Sequence, residues 1–323
     1  MDTLLVTGGA GYIGSHTVRA LTRKGYKCVV ADNLSYGHRE AVGNAAFAQV
    51  DLRDKNTLDA VFKQYGIDAV LHFAASSRVG ESVENPRLYY ENNVGGALNL
   101  LSVMLENGVC KIVFSSSCAV YGVPDKTPID ETRPLAPVSP YGQTKRVIEQ
   151  ILADYRAAYG LSYIALRYFN AAGADENGDI GESHAPETHL IPLVLQTILK
   201  KRGALSVFGA DYPTPDGTCV RDYVHVGDLA QAHVLALEKT DSFAGALNLG
   251  TGSGASVMQI VRACEAQTGL PCPLVIGRRR AGDPPVLTAN ARKAKEILNW
   301  EPVHSSLENI VKTAWQWESN RKF

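Results

Sequence analysis

The first half of the chain alternates short β-branched apolar runs with stretches where apolar residues recur every three or four positions. The runs at 3–7, 27–31, 46–50, 69–73, 111–115 and 162–167 read as strands, apolar almost throughout and hence buried on both faces. Between them, 14–24, 55–65, 86–107 and 141–159 carry helical periodicity. Strands alternating with helices predict parallel βαβ units with right-handed crossovers, and so an α/β chain built on a doubly wound parallel sheet. Past residue 170 the pattern changes. Residues 171–187 are rich in Gly, Asp, Glu and His with little periodicity, and read as an irregular loop. Helical periods return at 190–201 and 228–239, and ALNLGT at 246–251 reads as a buried strand able to rejoin the first sheet. The expected division is a first domain over residues 1–170 with a return segment near 222–251, and a smaller C-terminal α/β domain over 171–323.

Composition narrows the classes of function. The 323 residues are 45% hydrophobic and 20% charged, with a formal net charge of -1. That balance offers no general attraction to nucleic acid or to an anionic membrane, so neither is expected as a partner. Nothing approaches a membrane-spanning apolar run. MDTLLVTGG enters a strand-like run directly, without a cationic region or cleavable apolar segment. The six cysteines are scattered, with no CxxC, as expected of reduced thiols in a cytoplasmic protein. No metal is expected: His184, His189 and His225 are read as loop and core histidines without carboxylates at ligand spacing.

TGGAGYIG, residues 7–14, lies between the first strand and the first helix. Gly9, Gly11 and Gly14 satisfy G-x-G-x-x-G, and Gly8, Gly11 and Gly14 the looser G-x-x-G-x-x-G. Glycines let the backbone turn tightly and approach a pyrophosphate, while the helix N-terminus offers free N–H groups and a positive dipole end. Asp32, closing the second strand, is placed to accept hydrogen bonds from an adenosine ribose. Its charge would repel a 2′-phosphate, so NAD is expected rather than NADP. Asp51, closing the third strand, is placed toward the adenine edge. The expected architecture is therefore a Rossmann-like NAD-binding domain.

The strand KIVF runs into Ser115, Ser116, Ser117 and Cys118, at the carboxyl end of the sheet where such folds bind ligands. Tyr141 and Lys145 follow in SPYGQTK, four residues apart and so on one helix face. An ammonium near a phenol stabilises the phenolate, and the positive nicotinamide ring acts in the same sense. Bringing a phenol from ~10 to ~7 takes roughly 4 kcal/mol, within reach of two nearby cations. The outcome would be a general base, with a serine hydroxyl sharing the proton of the same substrate alcohol.

With these residues in view, the sequence resembles the extended short-chain dehydrogenase/reductase superfamily and, within it, the UDP-galactose (UDP-glucose) 4-epimerases. The likeness spans nearly the whole chain and is carried by GGAGYIGSH, VADNLSYG, YYENNVGG, FSSSCAVYG, SPYGQTK, RYFNAAGA, FGADYPTPDGTCVRDYVHV and LNLGTG. It implies that Tyr141 takes the proton of a sugar 4-hydroxyl while tightly bound NAD takes the hydride from C4. Ser117 would assist, and Lys145 would also hold the nicotinamide ribose. It further implies cofactor contacts from Tyr12, Ile13, Asn33, Asp51, Leu52, Phe73, Ala74, Asn92, Ser115 and Tyr168. The related nucleotide-sugar dehydratases carry an Asp-Glu pair after their first two serines. Ser117 and Cys118 stand there instead, and an ordinary thiol is a poor replacement acid. Reversible oxidation at C4 remains, with the keto sugar turning over before hydride returns.

For the second half, the resemblance gives Arg221 and Arg280 the diphosphate, whose oxygens match guanidinium forks. It gives Asp283 the nucleotide ribose, Phe208 the uracil, and Asn170 the diphosphate or sugar. Arg278 and Arg279 read as a solvated basic loop. His189, followed by Leu190, stands where some members carry asparagine in the substrate contact. Leu287 stands at the residue that gates the sugar pocket, intermediate between the small residues that admit N-acetylated sugars and the bulky ones that exclude them. The implied substrate is a UDP-hexose and the implied assembly a homodimer, through a bundle of 86–107 and 141–159 with their copies. Other UDP-sugars, an oxidoreductase releasing a keto sugar, and a non-catalytic NAD sensor are the alternatives. The intact Tyr141, Lys145 and Ser117 set argues against the last.

Overall fold

The computed structural model describes residues 2–280 and 283–323. Its first half runs β1 (Thr3–Thr7), α1 (Tyr12–Arg23), β2 (Lys27–Asp32), β3 (Ala46–Gln49), α2 (Lys55–Tyr65), β4 (Ala69–His72), α3 (Val79–Glu84), α4 (Pro86–Tyr89), α5 (Gly96–Glu106), β5 (Lys111–Ser117), α6 (Pro140–Tyr159) and β6 (Ser162–Tyr168). A seventh strand, Gly245–Leu249, adds beside β6 in parallel register, Leu247 opposite Leu166. The sheet order is Gly245–Leu249, β6, β5, β4, β1, β2, β3, with every pairing parallel. The chain builds outward from β1 to β3, then crosses back to β4 and builds the other way. The reversal leaves a crevice at the carboxyl ends of β1 and β4.

Alternation along β1 explains the two layers. Leu4 and Val6 join an apolar cluster with Val18 and Leu21 of α1 and with Leu229 and Ala232 of the helix Val226–Lys239. Leu5 faces the other way, into a cluster with Leu58 of α2, Leu100 of α5 and Ile148 of α6. A third cluster holds the rest of the chain together. It joins Val194 and Leu195 of the helix Leu190–Ile198 to Ile260 of Val257–Thr268 and Ile310 of Leu307–Ser319.

Three expectations shift. The helical period over 86–107 is not one helix: a π-turn over Tyr90–Gly95 separates α4 from α5. Its buried Asn93 accepts from Ser76 N at 2.8 Å and donates to Ser76 O at 3.0 Å and Thr144 Oγ1 at 3.1 Å. Those bonds pin the turn to the segment after β4 and to α6, which regular winding would not reach. The expected loop at 171–187 begins inside a short strand, Asn170–Ala172, paired with Tyr223–His225. Strand β5 runs two residues past the expected 111–115, so that Ser115, Ser116 and Ser117 are its last three residues, in register with Leu166, Arg167 and Tyr168.

Candidate active site

At the end of β1 the glycines are sterically required. A Cβ on Gly8, at φ 72°, would lie 2.5 Å from Ala74 N, and one on Gly14 would lie 2.3 Å from Gly8 O. Gly11 caps α1 with extended backbone and no side-chain bond to the first turn, so the N–H groups around Tyr12 and Ile13 have no capping side chain among the described residues. This is an anion cradle. Asp32 closes β2 beside it, accepting from Ala10 N at 3.0 Å and Leu34 N at 2.8 Å. Burial raises its carboxyl above the usual range against those two bonds. Phe73 and Ala74 leave β4 bonded to Thr7 O, and Asn92 donates to Ser76 Oγ at 3.3 Å in the same crevice. Leu52 is buried under Gly96. Asp51 is gathered next to Asn33, 3.2 Å away, but its carboxylate also accepts both arms of Arg53, at 2.9 and 2.6 Å. These residues fit a dinucleotide, with its pyrophosphate over the glycines.

The proton-transfer candidates meet at the end of β5. Ser139 caps α6, accepting from Gly142 N at 3.2 Å, and Pro140 sets its first turn. Gly142 lets the helix sit flush on the turn after β5, where a Cβ would come within 2.5 Å of Ala119 O. Tyr141 is thereby brought beside Ser117, whose hydroxyl acts to lower the pKa of the phenol. One turn on, Lys145 is 2% exposed and donates to Ser115 O at 2.7 Å. The hydroxyls of Ser115 and Tyr168 bond to each other alongside.

In the protein taken alone, burial dominates the electrostatics of this pair. Burial pushes the Tyr141 phenol up to about 12, with the nearby Ser117 hydroxyl opposing it. Burial likewise pulls Lys145 down to about 7, with Glu149 opposing. The ammonium lies 5.9 Å from the Tyr141 ring centroid. Ionising the phenol against that burial calls on both expected cations, the ammonium and the nicotinamide ring.

The second-half candidates partly occupy one another. Arg221 pairs with Asp283 and also donates to Val220 O at 2.7 Å. Arg280 lies over the Phe208 ring, 4.1 Å from its centroid. Asn170 uses its amide to hold Asp222 O at 3.0 Å. Leu287 stands in register with Arg221 in the parallel pair Val220–Arg221 and Val286–Leu287. Leu287 and Cys118 pack on one apolar cluster with Val120, Tyr121 and Phe169, which joins the two halves at the site. His189 precedes the helix Leu190–Ile198, whose Leu190 packs on the third core. Arg279 is exposed, in keeping with the solvated reading, and lies over Tyr212 at 4.3 Å while pairing at the surface with Asp211.

Residues 4–250 match the model of the NAD dependent epimerase/dehydratase family. The chain belongs to this family. It is 53% identical to a UDP-glucose 4-epimerase of Halalkalibacterium halodurans, over 97% of this chain and 95% of the relative. The structure of a Brucella ovis UDP-glucose 4-epimerase in complex with NAD superposes with a TM-score of 0.95 at 50% identity, covering 98% of each chain. That of a Bifidobacterium longum UDP-glucose 4-epimerase in complex with NAD+ and UDP gives 0.94 at 39% identity, covering 99% of each.

Within this family member, two groupings escaped the sequence reading. Behind the serines, Glu149 accepts from Ser116 Oγ at 2.5 Å and from Arg167 Nε at 2.9 Å, and Arg167 Nη1 donates to Tyr121 OH at 2.8 Å. Its only signal was the i, i+4, i+8 series Tyr141, Lys145, Glu149 on one helix face. The second grouping corrects the histidine assignment: Glu182 and Glu187 do stand at ligand distance from His184 and His189.

Proposed function

We propose that the chain is an NAD-dependent isomerase interconverting UDP-galactose and UDP-glucose through transient oxidation at C4. The observation that carries this reading is the convergence of Tyr141, Ser117 and the buried Lys145 at the carboxyl end of β5, with the glycine cradle also at the carboxyl edge of the sheet. NAD, when bound, supplies a hydride acceptor and a positive ring charge. The glycine loop and the α1 N-terminus bind its pyrophosphate, Asp32 its adenosine ribose, and Lys145 the nicotinamide ribose. Tyr141 takes the proton from the sugar 4-hydroxyl and later returns it, while Ser117 holds that oxygen in line. Cys118 would be a poor acid for elimination, since burial pushes its thiol up to about 12.

In this reading residues 1–170 and the return segment carry the cofactor, and 171–323 carry the nucleotide sugar. Arg221 and Arg280 grip the diphosphate, the former leaving Asp283 free for the ribose. Phe208 lies beside the uracil, and Asn170, His189, Leu190 and Leu287 line the sugar side. A cytoplasmic homodimer completes the proposal. Six unpaired thiols support that location, and among the described residues no helix is long and apolar enough to cross a membrane.

The test gives the purified protein UDP-galactose with no added NAD and follows UDP-glucose by chromatography. Conversion to a fixed ratio is expected. Accumulation of NADH and a keto sugar would instead establish an oxidoreductase. An inert sample that carries NAD would move the assignment to another UDP-sugar, UDP-N-acetylgalactosamine being tried first because of Leu287.

A further inference from the structure

Before the helix Leu190–Ile198, Glu182, His184, Glu187 and His189 each bring a ligand atom to within 4.8 Å of all the others. His189 Nδ1 lies 2.6 Å from Glu182 Oε1 and 3.3 Å from Glu187 Oε1; His184 Nδ1 lies 3.3 Å from Glu182 Oε1 and 3.7 Å from Glu187 Oε2. Hydrogen bonding does not satisfy the group. His184 Nδ1 and Glu187 Oε2 are buried and make no hydrogen bond among the described residues, although charged or polar partners stand within 4 Å. The Glu187 side chain is only 3% exposed. A buried carboxylate oxygen and a buried ring nitrogen, close but not aligned to bond, are what a missing central partner would leave.

We propose that Glu182, His184, Glu187 and His189 form a binding site for one divalent d-block cation, zinc being the ion this donor set suits. Imidazole with carboxylate oxygen is a common zinc combination, and four protein ligands make a closed, structural site. Bonds of about 2.0–2.1 Å in a tetrahedron place ligand atoms roughly 3.3–3.4 Å apart. With Glu187 ligating through its unpartnered Oε2, the edges from His184 Nδ1 to Glu182 Oε1 and to Glu187 Oε2, 3.3 and 3.7 Å, already approach that. The 2.6 Å edge from His189 to Glu182 needs to open, and all four ligand atoms lie within 4.8 Å of one another. Charge closes too: two carboxylates neutralise a divalent ion while both imidazoles stay uncharged.

The surroundings orient these ligands from behind, as metal sites require. Glu187 Oε1 accepts from the backbone N–H of Thr188 at 2.7 Å and of His189 at 2.8 Å, and Trp317 Nε1 holds Glu182 O at 2.8 Å. His189, half exposed, offers the ion a way in. The segment touches the cofactor loop, since the rings of Tyr12 and His184 meet edge to face with centroids 6.5 Å apart. Arg78 also holds Ala185 O at 2.7 Å. An ion here would fix the chain between the glycine cradle and the helix that follows His189, held by His189 through Nδ1 alone so that Nε2 stays available to the sugar side. The competing state is metal-free, with both imidazoles protonated against the two glutamates.

The experiment strips the NAD-carrying protein with a chelator, adds excess zinc, desalts it and counts metal per chain, beside His184→Gln and Glu187→Gln. One zinc per chain is expected in the wild type and at least about tenfold weaker retention in each variant, which loses one ligand. Cobalt loaded into the wild type gives a second reading that needs no variant: a four-coordinate visible band without a thiolate charge-transfer band. A wild type that retains no zinc, variants that retain as much, or a cobalt spectrum showing thiolate or six-coordinate geometry would overturn the site in favour of the ion-pair cluster.

Discussion

Burial acts on Tyr141 and Lys145 in opposite senses, raising the phenol to about 12 and lowering the ammonium to about 7, so that each is driven toward its neutral form. Catalysis in the proposed reading needs the phenol ionised, which makes positive charge over the site a requirement and gives NAD a role in acid–base chemistry. Tyr141→Phe should cut conversion of UDP-galactose by about 10²- to 10⁴-fold while bound NAD, read from the extracted protein, stays level. Unaltered turnover would remove the mechanism. Lys145 also predicts a pH effect on stability. Its folded pKa of about 7 lies below the ordinary 10.5, so between those values the unfolded chain holds more protons and stability rises with pH. Below about 7 both states are protonated and the full cost of the buried ammonium persists. Relative to Lys145→Met, the wild type should gain on the order of a few kcal/mol between pH 7 and 10. Urea midpoints measured at both ends check the slope, and parallel pH dependence in the two proteins would contradict it.

At the scale of elements, the site depends on how closely backbone approaches backbone. A methyl group on Gly14 would meet Gly8 O at 2.3 Å, whereas one on Gly11 would meet the same oxygen at 3.3 Å. Gly14→Ala must therefore push α1 off the end of β1, and Gly11→Ala need only adjust it. The expected order of NAD retained after purification is wild type, then Gly11→Ala, then Gly14→Ala nearly empty. The reverse order would mean that the cradle is not where the pyrophosphate binds. The buried Glu149–Arg167 pair works at the same scale, tying α6 to β6 directly and to β5 through Ser116.

For the whole molecule, the outer faces of the broken helix pair and its neighbours carry apolar residues exposed to solvent. Val83, Tyr90, Leu98 and Leu105 lie on α3, the π-turn and α5, and Tyr159 ends α6. A second copy, packed helix against helix, would cover such a surface. Leu98→Glu should then convert a sedimenting dimer to a monomer with its thermal transition and NAD content retained. A wild type that sediments as a monomer at micromolar concentration would refute the dimer.

Local chemistry was enough to read the strands, the glycine turn, Asp32 and the Tyr141–Lys145 spacing, because each depends on periodicity or on residues a few positions apart. The same locality hid what long-range packing decides. The π-turn at Tyr90–Gly95 exists because Asn93 finds Ser76 and Thr144, 17 and 51 residues away. The pairing of Arg221 with Asp283 spans 62 residues, and that of Glu149 with Arg167 joins a helix to a strand. Even the Glu182–His189 group, contained in eight residues, looked like loop until the fold buried its carboxylates, since sequence spacing sets which donors are near but only tertiary packing removes the water that would otherwise satisfy them.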